Sequence, residues 1–143
     1  MARKLKPDWD GQGVLFAGGR SRRRKRNGRL GNAETALCND CLEWCAEHPG
    51  MVAMAWRNNS GMAFLRNGGA MKLAPKGSPD IVGWLVNGIF LGIECKLPGQ
   101  EVEEDSDQAE CHALMARTNA AGLVVHSVEE LATKVRRACG EGD

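Results

Sequence analysis

The pattern of apolar and polar positions divides the chain near residue 32. Upstream, the large apolar side chains are few: Leu5, Trp9 and Val14-Leu15-Phe16, scattered among Gly, Arg and Lys. A segment of that kind buries too little apolar surface to offset the entropy of ordering it, so residues 1–31 are expected to form a mostly disordered arm. Downstream, Asn32 is placed to cap a helix from Ala33 to about Glu47, stopped by His48-Pro49-Gly50. Leu37, Cys38, Cys41, Trp44 and Cys45 recur at helical spacing and make its expected buried stripe. Met51–Arg57, Met62–Arg66 and Ala70–Leu73 read as short strands, separated by Asn-Asn-Ser-Gly and Asn-Gly-Gly turns.

The strongest strand pair is Ile81–Val86 and Ile89–Leu97, joined at Asn87-Gly88. A helix from about Asp107 to Ala121 is expected to stop at Gly122, with a strand over Leu123–His126 after it. Ser127-Val-Glu-Glu130 reads as a capping box that opens a last helix ending at Gly140. The order helix, five strands, helix, strand, helix predicts an α/β fold, a mixed β-sheet flanked by helices.

The register of the strong hairpin decides which side chains meet. A two-residue turn at Asn87-Gly88 would pair Asp80 with Cys95 and turn it away from Glu94. A three-residue loop Val86-Asn87-Gly88, with Gly88 left-handed in a bulge, pairs Leu85 with Ile89 and sets Asp80 opposite Glu94. Only the second register also gathers Ile81, Leu85, Ile89, Leu91, Ile93 and Cys95 on one face. A slip by one residue would invert every side chain, so the bulged register is expected.

That register gives the pattern Gly77-Ser78-Pro79-Asp80, thirteen intervening residues, then Glu94-Cys95-Lys96 a chemical meaning. Two carboxylates across a strand pair repel unless a cation or a proton intervenes. Magnesium takes oxygen ligands, often one or two carboxylates with water and substrate. Lys96 falls on the same strand face as Glu94 and can orient water or offset charge on a pentavalent phosphate.

With Glu34 near the start of the first helix, Ala55-Trp56-Arg57-Asn58-Asn59-Ser60-Gly61, Lys76-Gly77-Ser78-Pro79-Asp80-Ile81-Val82-Gly83, Ile93-Glu94-Cys95-Lys96-Leu97-Pro98-Gly99 and Gln108, the chain resembles the virus-type replication-repair nucleases (VRR-NUC) of the PD-(D/E)xK superfamily. The resemblance covers roughly residues 32–131, so 32–143 is taken as the domain. It implies a restriction-endonuclease-like core and a Mg²⁺- or Mn²⁺-dependent endonuclease acting on branched or four-way junction DNA in recombination, as a homodimer. It also implies Asp80, Glu94 and the Cys95 backbone carbonyl as metal ligands, with Lys96 and Gln108 in the catalytic set. Two features depart from the family pattern: the acid-rich stretch Gln100–Asp107 and the long arginine-rich arm.

Glu34 heads the stripe of Cys38, Cys41 and Cys45, where a carboxylate also suits the positive end of a helix. The resemblance adds a contact to metal or water. Gln108 is either an ordinary surface residue or a partner for Lys96, a water or a phosphate. Cys38-x-x-Cys41 with Cys45 and His48 invites a zinc reading. All four fall in or at the end of one helix with no second CxxC, so they are expected to be core residues instead. His126 is expected to be structural.

Charge completes the picture. The formal net charge of +1 conceals an arm with 10 Lys/Arg against 2 acidic residues in 1–29, and a body with 9 against 16. Arg20, Arg22, Arg23, Arg24, Lys25, Arg26 and Arg29 are the expected DNA-contacting residues of the arm. Arg57, Asn58 and Lys76 are the corresponding candidates on the domain. The competing class is a non-catalytic DNA-binding protein that uses the arm on an inert scaffold. With no apolar run of membrane-spanning length and no apolar stretch behind the basic N-terminus, the chain is expected to be cytoplasmic, in a bacterial host if phage-encoded, with its six cysteines reduced.

Overall fold

A computed structural model describes residues 30–142, with side chains from Ala33 onward. The expected arm, apart from its last two residues, therefore lies outside the described residues. The elements follow the expected order: α1 (Leu30–Glu47), β1 (Val52–Arg57), β2 (Met62–Phe64), β3 (Ala70–Lys72), β4 (Ile81–Leu85), β5 (Phe90–Cys95), α2 (Asp107–Arg117), β6 (Ala121–Val125) and α3 (Val128–Ala138). This is an α/β fold with a mixed sheet flanked by helices.

The main sheet has the order β1-β4-β5-β6, antiparallel across its first two pairings and parallel between β5 and β6. Alternation along the strands sends Ile81, Leu85, Leu91, Ile93, Cys95 and Val125 to one face, all buried. There they meet Cys38, Cys41, Trp44 and Cys45 of α1 and Leu131, Ala132 and Val135 of α3 in one core. The expected stripe of α1 is thus the buried one. β2 and β3 form a separate two-stranded sheet. Their large apolar side chains, Met62, Phe64 and Met71, are exposed.

Most boundaries shift by a residue or two from expectation, and the larger shifts have physical reasons. Helix α1 begins at Leu30, so Asn32 lies within it rather than capping it. Gly31 and Asn32 are weak helix formers, but each costs no more than about 1 kcal/mol relative to alanine, and a packed helix tolerates that. Helix α2 ends at Arg117, four residues before Ala121, because Thr118 turns extended. The Thr118 hydroxyl donates to the carbonyls of Leu114 and Met115, closing the last turn.

Gly122 is consequently a strand residue, paired beside Gly92 of β5. The two glycines let α2 press on the sheet. A Cβ at Gly92 would meet Pro79 Cγ at 2.8 Å and Met115 Sδ at 2.9 Å, and one at Gly122 would meet Met115 Cε at 2.9 Å. The stop signal read from Gly122 was a packing signal. At α3 the capping box is present in altered form. Ser127 accepts from the N–H of Glu130, but the Glu130 carboxylate takes the N–H of His126 rather than that of Ser127.

Candidate active site

The hairpin that carries the candidate chemistry has the bulged register. Ile81 pairs with Ile93, Val82 with Gly92, Gly83 with Leu91 and Trp84 with Phe90. The Leu85 N–H donates to the Ile89 carbonyl at 2.9 Å, and Gly88 N–H to the Leu85 carbonyl at 2.9 Å. Gly88 sits at φ +84°, where a β-branched side chain would be strained. The Asn87 side-chain oxygen accepts from the N–H of Ile89 at 3.1 Å and steadies the loop.

Carried one step beyond the paired residues, this register sets Asp80 opposite Glu94. Asp80 itself lies in a bend ahead of β4, free of the strand's alternation. Its carboxylate therefore curls around the strand end and accepts from the Cys95 N–H at 2.9 Å. The expectation that two carboxylates share one sheet face holds for Glu94 and only partly for Asp80. Asp80 is fixed from the other side as well. The Asn58 side-chain amide donates to the Ser78 hydroxyl at 2.8 Å and the Pro79 carbonyl at 2.9 Å. The Asn58 N–H donates to the Asp80 carbonyl. Asn58 is thus committed to holding the turn before Asp80, a role that its sequence neighbours did not reveal because its partners lie about twenty residues away.

Glu94 points the opposite way to Cys95, toward α2, and is 1% exposed. Its Oε1 accepts from the Gln108 amide, and the Gln108 carbonyl accepts from Lys96 Nζ at 3.0 Å. Lys96 Nζ is also 3.6 Å from Glu94 Oε1. Gln108, the half-buried second residue of α2, thus clamps the glutamate and the lysine together. Glu94 Oε2 is buried and has no hydrogen-bond partner among the described residues. Burial first, then the charges of Asp80 and Glu34, push its carboxyl up to about 7 against the pull of Lys96. Glu34 is half-buried on α1 and reaches this site by charge.

Outside this cluster, Lys96 and Gln108 open onto a hollow of about 500 Å³ that Gln100, Glu101, Glu103 and Ser106 complete. Its acidic wall suits hydrated cations better than phosphate. Arg57 is half-buried at the end of β1, and Lys76 makes an exposed ion pair with Asp107 at 3.2 Å. The arginines and lysine of the arm, from Arg20 to Arg29, lie outside the described residues. The zinc constellation read along α1 is not gathered. His48 stacks on Trp44 with ring centroids 4.0 Å apart, and its Nδ1 pairs with the Trp44 carbonyl. Compared with protein-family models, with curated proteins and with solved structures, the chain matches none.

Proposed function

We propose that this protein is a Mg²⁺- or Mn²⁺-dependent endonuclease of the PD-(D/E)xK type, similar to the VRR-NUC enzymes and directed at branched or four-way junction DNA. The observation that supports this best is Glu94: a buried carboxylate with one oxygen unpartnered, a second carboxylate beside it, and a lysine held next to it. A buried polar atom without a partner costs about 1–3 kcal/mol, more for a charged group, so a native structure keeps one for a reason. A divalent cation answers the raised carboxyl and the orphan oxygen together. The donors fit a hard ion: Asp80 and Glu94 supply carboxylate oxygens, with Glu34 near enough to add charge.

An ion held there supplies the polarisation of a phosphate and the acidification of a water. The chain's own contribution is positioning. Gln108 accepts from Lys96, so the ammonium stays beside Glu94 rather than swinging into solvent. From that place Lys96 can donate to a phosphate oxygen as negative charge builds on it. The Asn58 amide and the Cys95 N–H hold Asp80 at the strand end, so both carboxylates keep their spacing before any ion arrives. The basic arm is assigned to phosphate contacts and a homodimer to paired cuts in a junction; both extend the reading from charge and symmetry.

The test is cleavage of supercoiled plasmid and of a four-way junction by the purified full chain with Mg²⁺ or Mn²⁺. Asp80→Asn and Glu94→Gln should reduce cutting to background with the fold intact, and Lys96→Ala should slow it by about 10²–10³. Undiminished cutting by Asp80→Asn would overturn the assignment.

A further inference from the structure

The core side of the same strand end holds a second set of donors. The Sγ atoms of Cys38 and Cys95 and a carboxylate oxygen of Asp80 all lie within 4.8 Å of one another. Both thiols are 0% exposed, as is that of Cys41. Cys41 stands one helical turn from Cys38, equally buried in the same core. Two thiols, one from a helix and one from a strand, thus converge with one carboxylate, the Cys95 N–H fixes that carboxylate in place, and Cys41 is the next thiol along the helix.

We propose that Cys38, Cys95 and Asp80, with Cys41 as fourth ligand, form a binding site for a thiophilic divalent ion of the zinc class. Ordinary core cysteines act as small apolar groups and need no carboxylate among them. Thiolates select zinc, copper(I) or iron–sulfur centres over magnesium. An oxygen donor among the sulfurs favours zinc over copper(I), and four donors allow a closed tetrahedral site. The N–H of Cys95 on Asp80 is the sort of supporting contact that orients a ligand before metal arrives. Asp80 stands between the thiols and Glu94, and its two oxygens can serve one side each. The site requires nothing of the nuclease reading.

The sequence concealed it for a definite reason. The helical CxxC is visible, but its partner Cys95 lies 54 residues past Cys41 on a strand, inside the motif that drew attention for other chemistry. Cys45 and His48, which the spacing would recruit, take no part.

The experiment is titration of the reduced, metal-free full chain with Co²⁺ alone, followed by absorption spectroscopy. The expected result is a thiolate-to-cobalt charge-transfer band with the visible bands of a tetrahedral ion, saturating at one ion per chain and abolished by Zn²⁺. Cys38→Ser and Cys95→Ser should each weaken the band at saturating Co²⁺ and bind Zn²⁺ at least about 100-fold more weakly. Asp80→Asn should keep the charge-transfer band but bind about 10-fold more weakly, and Cys139→Ser should match the wild type. A serine variant that fails to fold is replaced by a footprint on the wild type. There, in denaturant just sufficient to let the buried thiols react, Zn²⁺ should slow alkylation of Cys38, Cys41 and Cys95 and leave the half-buried Cys111 and Cys139 as they were. Absence of the band in folded wild-type protein, undiminished band and Zn²⁺ affinity in folded Cys38→Ser and Cys95→Ser, or alkylation unchanged by Zn²⁺ would overturn the site. No readout involves DNA, so failure here leaves the nuclease proposal standing, and the reverse.

Discussion

Glu94 on β5 and Glu130 in the first turn of α3 are the same side chain in opposite surroundings. Glu130 is half-buried and surrounded by donors. It accepts from the His126 N–H at 2.8 Å and pairs with His126 Nδ1 at 3.0 Å and Lys134 Nζ at 2.6 Å. Those partners, Lys134 foremost, hold its carboxyl down at about 2. Glu94 is buried almost completely, keeps one oxygen without a partner, and is pushed up to about 7. The first charge is consumed by structure, since it caps a helix and ties α3 to the end of β6. The second is costly to the fold and left available, and that imbalance, more than the number of charged residues, is what the proposed metal site rests on.

The largest expected effect separates the two directly. Glu94→Gln should cut metal-dependent cleavage by at least about 10³-fold, whereas Glu130→Gln should leave it within about twofold. Equal losses in both variants, measured on the same junction substrate, would erase the distinction.

A second contrast is in the pH dependence of stability without metal. Because the folded value of Glu94 is raised from 4.5 to about 7, the unfolded chain gives up its proton first as pH rises. Stability contributed by protonated Glu94 is full below about pH 4.5 and is lost as pH rises through about 7. The loss should be roughly 3 kcal/mol at most, absent in Glu94→Gln, and recovered by added Mg²⁺ or Mn²⁺. Denaturant titrations at pH 5 and pH 8 measure it, and identical profiles for the two proteins would count against a strained Glu94.

Third, Gly92→Ala should disturb Glu94 and spare Glu130. The new Cβ presses on Pro79, next to Asp80, and on Met115 of α2, the helix that carries Gln108. Overpacking of this kind costs about 1–3 kcal/mol, and cleavage should fall more than stability accounts for. A variant with wild-type melting temperature and activity would show that the α2–sheet contact is slack.

The smallest effect belongs to Glu130→Gln, about 1 kcal/mol at neutral pH, since its contacts are partly solvent-screened. The sign follows from two shifts. Glu130 is lowered, so its contribution is present above about pH 4.5 and lost as pH falls toward about 2. His126 is raised by the Gln100 carbonyl and by Glu130, so its contribution is full below about 6.5 and lost as pH rises past its folded value. The gap between wild type and Glu130→Gln should therefore be widest between about pH 4.5 and 6.5, read from melting temperatures across that range.

What the sequence determined by itself is local and periodic. Alternation over Ile81–Leu85 and Ile89–Cys95, with a glycine able to take φ +84° at position 88, selected one hairpin register, because any other exposes the apolar face. Helical spacing named the buried stripe of α1, and the element order gave the fold class. The same register, extended one step past Ile81 and Ile93, faces Asp80 toward Glu94, although Asp80 lies in a bend and its carboxylate accepts from the Cys95 N–H. Local signals failed where a residue answers to a distant partner. Gly122 looked like a helix stop because helices often end on glycine, yet it is small to admit Met115. Asn58 looked like a turn residue or a DNA contact and instead holds the Ser78-Pro79 turn. Only the tertiary structure decided that Gln108 would clamp Glu94 to Lys96, that Asp80 would curl toward Cys38 and Cys95, and that one oxygen of Glu94 would stay unpartnered. Those outcomes depend on how closely α1 and α2 settle on the sheet. Such distances are set by side-chain volumes brought together from remote parts of the chain, which no period along the sequence records.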